Sequence, residues 1–209
     1  MTPFFIALQF LTRLKIVNQT EWSVDDFGKS VLAFPYVGLI IGLILALLYS
    51  ILSPFIPLVP LMLIIVIAEF LITGGLHADG LMDTSDGLFS GRERERKLEI
   101  MKDSRIGSFG VVAFVFVTLL KWQLLTAIPT AEFIPMALIM MPLMSRWSLV
   151  LSIRSYPYAR KEGMGAAFAN LAPKHVITYN TLSTFFMPIV ILIIGVILYT
   201  LLYLSLIHI

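Results

Sequence analysis

The sequence predicts an all-α, polytopic integral membrane bundle of about five transmembrane helices plus an N-terminal interfacial helix. Three observations predict it. Of the 209 residues, 58% are hydrophobic and only 13% are charged, against about 25% charged in ordinary soluble domains. Mean hydropathy is +0.92, and several apolar runs reach the ~20 residues that a helix needs to cross a bilayer. A soluble domain of this size could not cover that much apolar surface. Thirdly, three neighbouring aspartates follow a helical and not a strand spacing.

In chain order, the opening stretch Met1-Thr-Pro-Phe-Phe-Ile-Ala-Leu-Gln-Phe-Leu-Thr-Arg13 is apolar with Arg13 and Lys15 late, the pattern of a helix lying in the interface. It has no cationic leader and no small-residue cleavage site, so it does not read as a secretory signal. Apolar segments at 30–51, 55–72, 107–128, 133–151 and 185–207 are the candidate spans. No repeat or low-complexity tract divides them, so residues 1–209 are expected to form a single membrane-embedded catalytic domain. The chain stops inside an apolar stretch, Leu204-Ser-Leu-Ile-His-Ile209. Those six residues also match the translation of a transposase-adapter sequence, so a C-terminally truncated reading frame and a non-native His208 are expected.

Charge sets the orientation. The loop at 77–106 carries Arg92, Arg94, Arg96, Lys97, Lys102 and Arg105, and the loop at 152–184 carries Arg154, Arg160, Lys161 and Lys174. Two spans separate these loops, which puts them on one side together with Arg13, Lys15 and Lys29. The opposite connections, 53–55 and 130–132, hold no Lys or Arg. The positive-inside rule then predicts an inner-membrane protein whose large loops face the cytoplasm. The run from Arg92 to Glu99 reads as a solvated helix face, with Glu93 and Lys97 at i, i+4. The net charge of +2 argues for no nucleic-acid partner, and zero cysteines exclude disulfides, thiolate metal sites and a Cys nucleophile.

The chemistry concentrates in Gly75-Leu-His-Ala-Asp79-Gly-Leu-Met-Asp83-Thr-Ser-Asp86-Gly87. Steps of four and three place the three carboxylates within roughly 60° of arc on one helix face. Like charges so placed repel unless a cation sits among them, and hard oxygen ligands suit Mg²⁺ or Mn²⁺. Asp103, in Lys102-Asp-Ser-Arg105-Ile-Gly107-Ser-Phe-Gly110, supplies a fourth carboxylate from a facing helix or merely caps the next one. Glycines 74, 75, 80 and 87 each weaken a helix by up to ~1 kcal/mol; close approach of a phosphorylated ligand explains them, and so does helix packing. His77 points off the acidic face, as a base or as a structural histidine. Arg146 lies inside the fourth span and either faces a partner or snorkels. Arg154 and Arg160 offer phosphate anchors or ordinary loop charge. Glu69, in the second span, is expected to face protein, and Lys121, deep in the third, has no explanation from sequence.

At these residues a resemblance appears. Gly74 through Leu88, then Ile100 through Gly110, resemble the cobalamin-5′-phosphate synthase family, the adenosylcobinamide-GDP ribazoletransferases. Ala7-Leu-Gln-Phe-Leu-Thr-Arg-Leu14, Ser145-Arg-Trp147 and Tyr158-Ala-Arg-Lys-Glu-Gly-Met-Gly165 are similar to that family too. The resemblance implies transfer of the adenosylcobinamide-phosphate group from adenosylcobinamide-GDP to α-ribazole or its 5′-phosphate, with release of GMP. It implies Asp79, Asp83, Asp86 and Asp103 around one or two Mg²⁺ ions, with one of them or His77 as proton acceptor. Lys102, Arg105, Arg146 and Arg160 would hold phosphate, and Gly80 and Gly87 would leave room for substrate. Family members extend further, with a late Gly/Thr/Asp-bearing segment and another apolar span. Asp83-x-x-Asp86-Gly87 is also similar to the start of the CDP-alcohol phosphotransferase signature, whose later spacing is not reproduced. Phospholipid synthesis by such an enzyme, or divalent-cation transport, are the alternatives.

Overall fold

The structure, a computed structural model, describes residues 3–17, 23–160 and 163–207. Among them every regular element is helical: ten α-helices and two short 3₁₀ turns. Helix α1 is Pro3–Leu11, with proline at the position where a missing N–H is harmless. Its Ile6, Ala7, Leu8 and Leu11 are buried against the rest of the chain. Helix α2 (Val24–Ser30) is capped by the Ser23 hydroxyl, which accepts from the Asp26 N–H at 3.1 Å. It runs through a 3₁₀ turn at Val31–Ala33 into α3, Phe34–Leu52. Then come α4 (Leu58–Thr73), α5 (Leu76–Phe89), α6 (Arg94–Ile100) and α7 (Ser108–Thr126). A 3₁₀ turn at Ala131–Phe133 opens α8 (Ile134–Ser155), followed by α9 (Met164–Leu171) and α10 (Val176–Ile207).

Three stretches are long and apolar enough to cross a membrane: Asp25–Leu52, Ser108–Thr126 and Ala131–Ser155. The bent pair α4–α5 makes a fourth if taken as one span. The chain is therefore an all-helical membrane protein with three to four such spans. The fifth expected segment, 185–207, lies in α10, where most side chains past Val190 fall outside the described residues; His208 does so entirely.

Packing divides the chain into two compact units, described separately. The first comprises Met1–Leu8, Ile16–Gly42 and Met140–Ile209. Here Phe27 of α2 stacks on Phe168 of α9 with centroids 4.4 Å apart, and Phe34 meets the same ring edge-on. Asn180 of α10 donates to the Val31 carbonyl at 3.1 Å, fixing α10 against the turn that opens α3. Gly38 of α3 leaves no room for a Cβ beside the Pro142 carbonyl of α8.

The second unit, Gln9–Lys15 and Leu43–Ile139, holds the acidic helix. Glu69 of α4 forms an ion pair with Lys121 of α7, which accounts for both intramembrane charges: each is costly alone and is satisfied by the other. Phe70 packs on Phe114, and the Trp122 indole donates to the Val59 carbonyl at 2.9 Å. At the end of α4 the chain turns by 91° into α5. Gly74 and Gly75 make the corner, at φ 64° and 76°, in the left-handed region that favours glycine. Gly75 N–H bonds back to Phe70 C=O and Gly74 N–H to Leu71 C=O, a Schellman closure of α4. Arg13 covers this corner: its N–H donates to the Ile72 carbonyl at 2.7 Å, and its side chain fills the space a Gly74 Cβ would need.

Candidate active site

Helix α5 contains the whole acidic motif, so Asp79, Asp83 and Asp86 do share one helical face. Asp79 is exposed and Asp83 half-buried. A like-charged pair one turn apart destabilises a helix by only about 0.2–0.5 kcal/mol, which the fold tolerates.

Asp86 has a different environment. Its carboxylate accepts the Gly107 N–H at 2.7 Å and the Gly110 N–H at 2.8 Å. These donors belong to the start of α7, which no side chain of its own caps. A helix start leaves its first amides without acceptors, and a carboxylate there meets both the hydrogen-bond need and the positive end of the helix dipole. The approach depends on two missing side chains. A Cβ on Gly107 would overlap the Asp86 carboxylate, and one on Gly110 would lie 2.5 Å from it and 2.9 Å from the Met82 carbonyl. Sequence reasoning missed these glycines. The available signal was Gly-x-x-Gly at a helix start with no Ser, Thr, Asn or Asp at the cap.

Asp103 was expected on a helix facing α5 or as the cap of α7. It sits in the loop between α6 and α7 and does neither. Its carboxylate accepts the Arg105 backbone N–H, its Nε and its Nη2, the last at 2.6 Å. The Arg105 guanidinium holds the Asp103 carboxyl down at about 2, well below the ordinary 3.8, and Asp103 in turn raises Arg105. Among the described residues no three carboxylates or imidazoles gather closely enough to hold an ion.

The other expected residues separate into classes. Gly74 and Gly75 form the corner, not the helix. Gly87 meets the Met101 side chain and the Lys97 carbonyl, which is packing against α6 and the turn after it. Gly80 has open space around it, with nothing within 4 Å of a built Cβ. His77 is half-buried in the first turn of α5, roughly opposite the acidic face. Lys102 is exposed, and the Arg105 side chain is 88% exposed. Helix α6 is the solvated face expected, although its ion pair is Arg96 with Glu99. In the first unit Arg146 is only 3% exposed on α8, and Arg160 is half-buried in the loop after it.

The donor set on α5 is hard oxygen. Mg²⁺ takes one or two carboxylates and completes its octahedron with water and substrate phosphate; the carboxylates of Asp79 and Asp83, one turn apart on α5, are of that donor type.

Compared with known proteins, residues 3–209 match the family described as cobalamin-5-phosphate synthase. The chain is 39% identical over 170 residues to the adenosylcobinamide-GDP ribazoletransferase of Desulfitobacterium hafniense, covering 80% of this chain and 67% of that one. It is 42% identical over 166 residues to the protein of that name in Acetivibrio thermocellus, spanning 66% of its length and 79% of this chain. With the Clostridium botulinum (strain Okra) protein of that name, identity is 37% over 208 residues, 96% of this chain and 84% of the relative. No solved structure matches.

Proposed function

Because the chain belongs to the cobalamin-5-phosphate synthase family, and with it to the transferases of cobalamin assembly, we propose that it joins adenosylcobinamide-GDP to α-ribazole, or to its 5′-phosphate, and releases GMP. The observation that carries this reading is the match running along residues 3–209. The relatives' shared name favours this reaction over phospholipid synthesis or cation transport.

The acceptor's ribose hydroxyl oxygen forms a new bond to the phosphorus that bears the cobinamide. The bond from that phosphorus to the bridging oxygen breaks, and GMP leaves with that oxygen. Such transfers depend mostly on positioning and charge stabilisation. In this proposal the exposed end of α5 receives the diphosphate beside open Gly80, and Asp79, Asp83 or His77 takes the hydroxyl proton. Magnesium, or manganese, held by Asp79 and Asp83 would neutralise the diphosphate charge. Asp86 and Asp103 orient instead: the first holds the start of α7, the second holds Arg105. Lys102 and Arg105 flank Asp103 in the chain and are assigned to phosphate; Arg146 and Arg160 receive that role from the resemblance alone.

We place the reaction at the cytoplasmic face of the inner membrane, with α3, α4, α7, α8 and α10 as five spans. The support is the concentration of Lys and Arg in 77–106 and 152–184 against none in 53–55 and 130–132. Purified chain supplied with adenosylcobinamide-GDP, α-ribazole and Mg²⁺ should release GMP. Asp83→Asn should abolish that release while leaving the protein folded; near-normal turnover by Asp83→Asn removes the proposed metal pair.

A further inference from the structure

In the second unit, helices α4, α5 and α7 form the three sides of a triangle. Its vertex is the 91° corner between α4 and α5. At about 1.5 Å per residue, Glu69 lies about 8 Å back along α4 from that corner and Asp86 about 16 Å along α5. The ends of two such legs, set at a right angle, stand about 18 Å apart. Helix α7 has that length: about 19 Å separates the amides of Gly107 and Gly110 from Lys121. Both ends of this third side are tied, the amides to the Asp86 carboxylate and Lys121 to Glu69.

The vertex needs such a brace. Gly74 and Gly75, at φ 64° and 76°, permit the turn without enforcing it. Phe70 on Phe114, and the Trp122 indole on the Val59 carbonyl, also join α4 to α7. Lipid tails are as apolar as the side chains, however, so apolar contacts do little to select one register between membrane helices. A charge pair does select one. Sliding α7 along α4 would strand the Glu69 and Lys121 side chains, only 11% and 28% exposed, where nothing solvates them.

We propose that Glu69 and Lys121 are positioning residues for the acidic helix. Neither touches substrate; their pair locks α7 in the register that holds α5 at right angles to α4 and so aims Asp79 and Asp83. The inference rests on the reading of those two carboxylates as the metal-holding pair.

The test uses the full chain in phosphatidylcholine nanodiscs. The sequence has no cysteine, so spin labels at Leu63→Cys on α4 and Leu88→Cys on α5, both exposed positions, report the corner as an electron–electron distance. The parent should give one narrow distance, and Lys121→Arg, which keeps the charge, should reproduce it. Glu69→Gln/Lys121→Met deletes the pair without leaving a lone charge and should shift or broaden that distance. Without labels, the same variant should bind Mn²⁺ about tenfold more weakly, read from the resonance of the free ion. It should also release GMP roughly tenfold to a hundredfold more slowly per folded molecule. A purely stabilising role would reduce the amount of folded protein and leave the distance and the Mn²⁺ half-saturation unmoved. If the neutral pair does not fold, Glu69→Asp, one methylene shorter, makes the same comparison. An unchanged distance overturns the proposal, and so does a moved helix with parental Mn²⁺ affinity and GMP release. A parent that takes up no Mn²⁺ ends the metal reading alone, and the distance together with GMP release then decides the brace.

Discussion

Replacing Gly110 with alanine tests the central contact of the acidic helix. The new Cβ would stand 2.5 Å from an Asp86 oxygen where ordinary contact begins at 3.4 Å, and 2.9 Å from the Met82 backbone carbonyl. The carboxylate has no rotamer to escape into without abandoning α7, and a backbone carbonyl does not swing aside. Helix α5 must therefore retreat by about 0.9 Å. That stretches amide–carboxylate bonds of 2.7 and 2.8 Å to lengths at which they no longer count as hydrogen bonds. Hydrogen bonds to charged groups contribute about 1.5–3 kcal/mol each, and overpacking alone costs about 1–3 kcal/mol. Against a helix-propensity gain of up to ~1 kcal/mol for alanine, the net loss is at least about 3 kcal/mol, a fall in Tm of about 6–12 °C or more for a chain this long. Intrinsic fluorescence melting reads it directly, because Trp122 sits on α7. Gly80→Ala is the matched control, since nothing lies within 4 Å of its Cβ: Tm should hold or rise slightly, while GMP release falls if substrate approaches that face. A Gly110→Ala protein that melts and turns over like the parent would refute the cap.

Three further outcomes follow from the geometry. Arg105→Ala should return the Asp103 carboxyl from about 2 toward its ordinary 3.8, read by carbon NMR of labelled aspartate. Because the folded value is the depressed one, the Arg105–Asp103 contribution is complete above about pH 4 and is lost as pH falls through 2. Glu69→Gln or Lys121→Met alone should destabilise by about 3–5 kcal/mol by leaving one buried charge unpaired, and the double variant Glu69→Gln/Lys121→Met should recover much of it; additive losses would mean that the two side chains do not pair. Chelation with EDTA should stop GMP release and either Mg²⁺ or Mn²⁺ should restore it, with full activity in EDTA refuting the metal requirement.

Hydropathy located the middles of the long helices and missed their polar ends. The last helix begins at Val176 and not near 185, because Asn180 and Thr184 face the protein interior and are fully buried; a hydropathy window scores them as loop. The same blindness hid α2 and α9, whose apolar faces are only a few residues long. The helical reading of Asp79, Asp83 and Asp86 was legible because spacing alone fixes a face. Their partners were not: Asp86 meets amides more than 20 residues away, and Glu69 meets Lys121 across 52. Glycines are ambiguous in sequence for a physical reason. Gly74 and Gly75 supply positive φ, Gly87 supplies closeness to a neighbour, and Gly80 supplies open space, yet all four are the same letter.

The corner between α4 and α5 has a consequence for how the protein is made. Arg13, which lies over Gly74 and bonds to Ile72, leaves the ribosome some sixty residues before the turn it secures. The direction in which the aspartates point is thus set by an earlier part of the chain closing back on a later part. A change at Arg13 would disturb the aim of a helix far downstream with no change to any acidic residue.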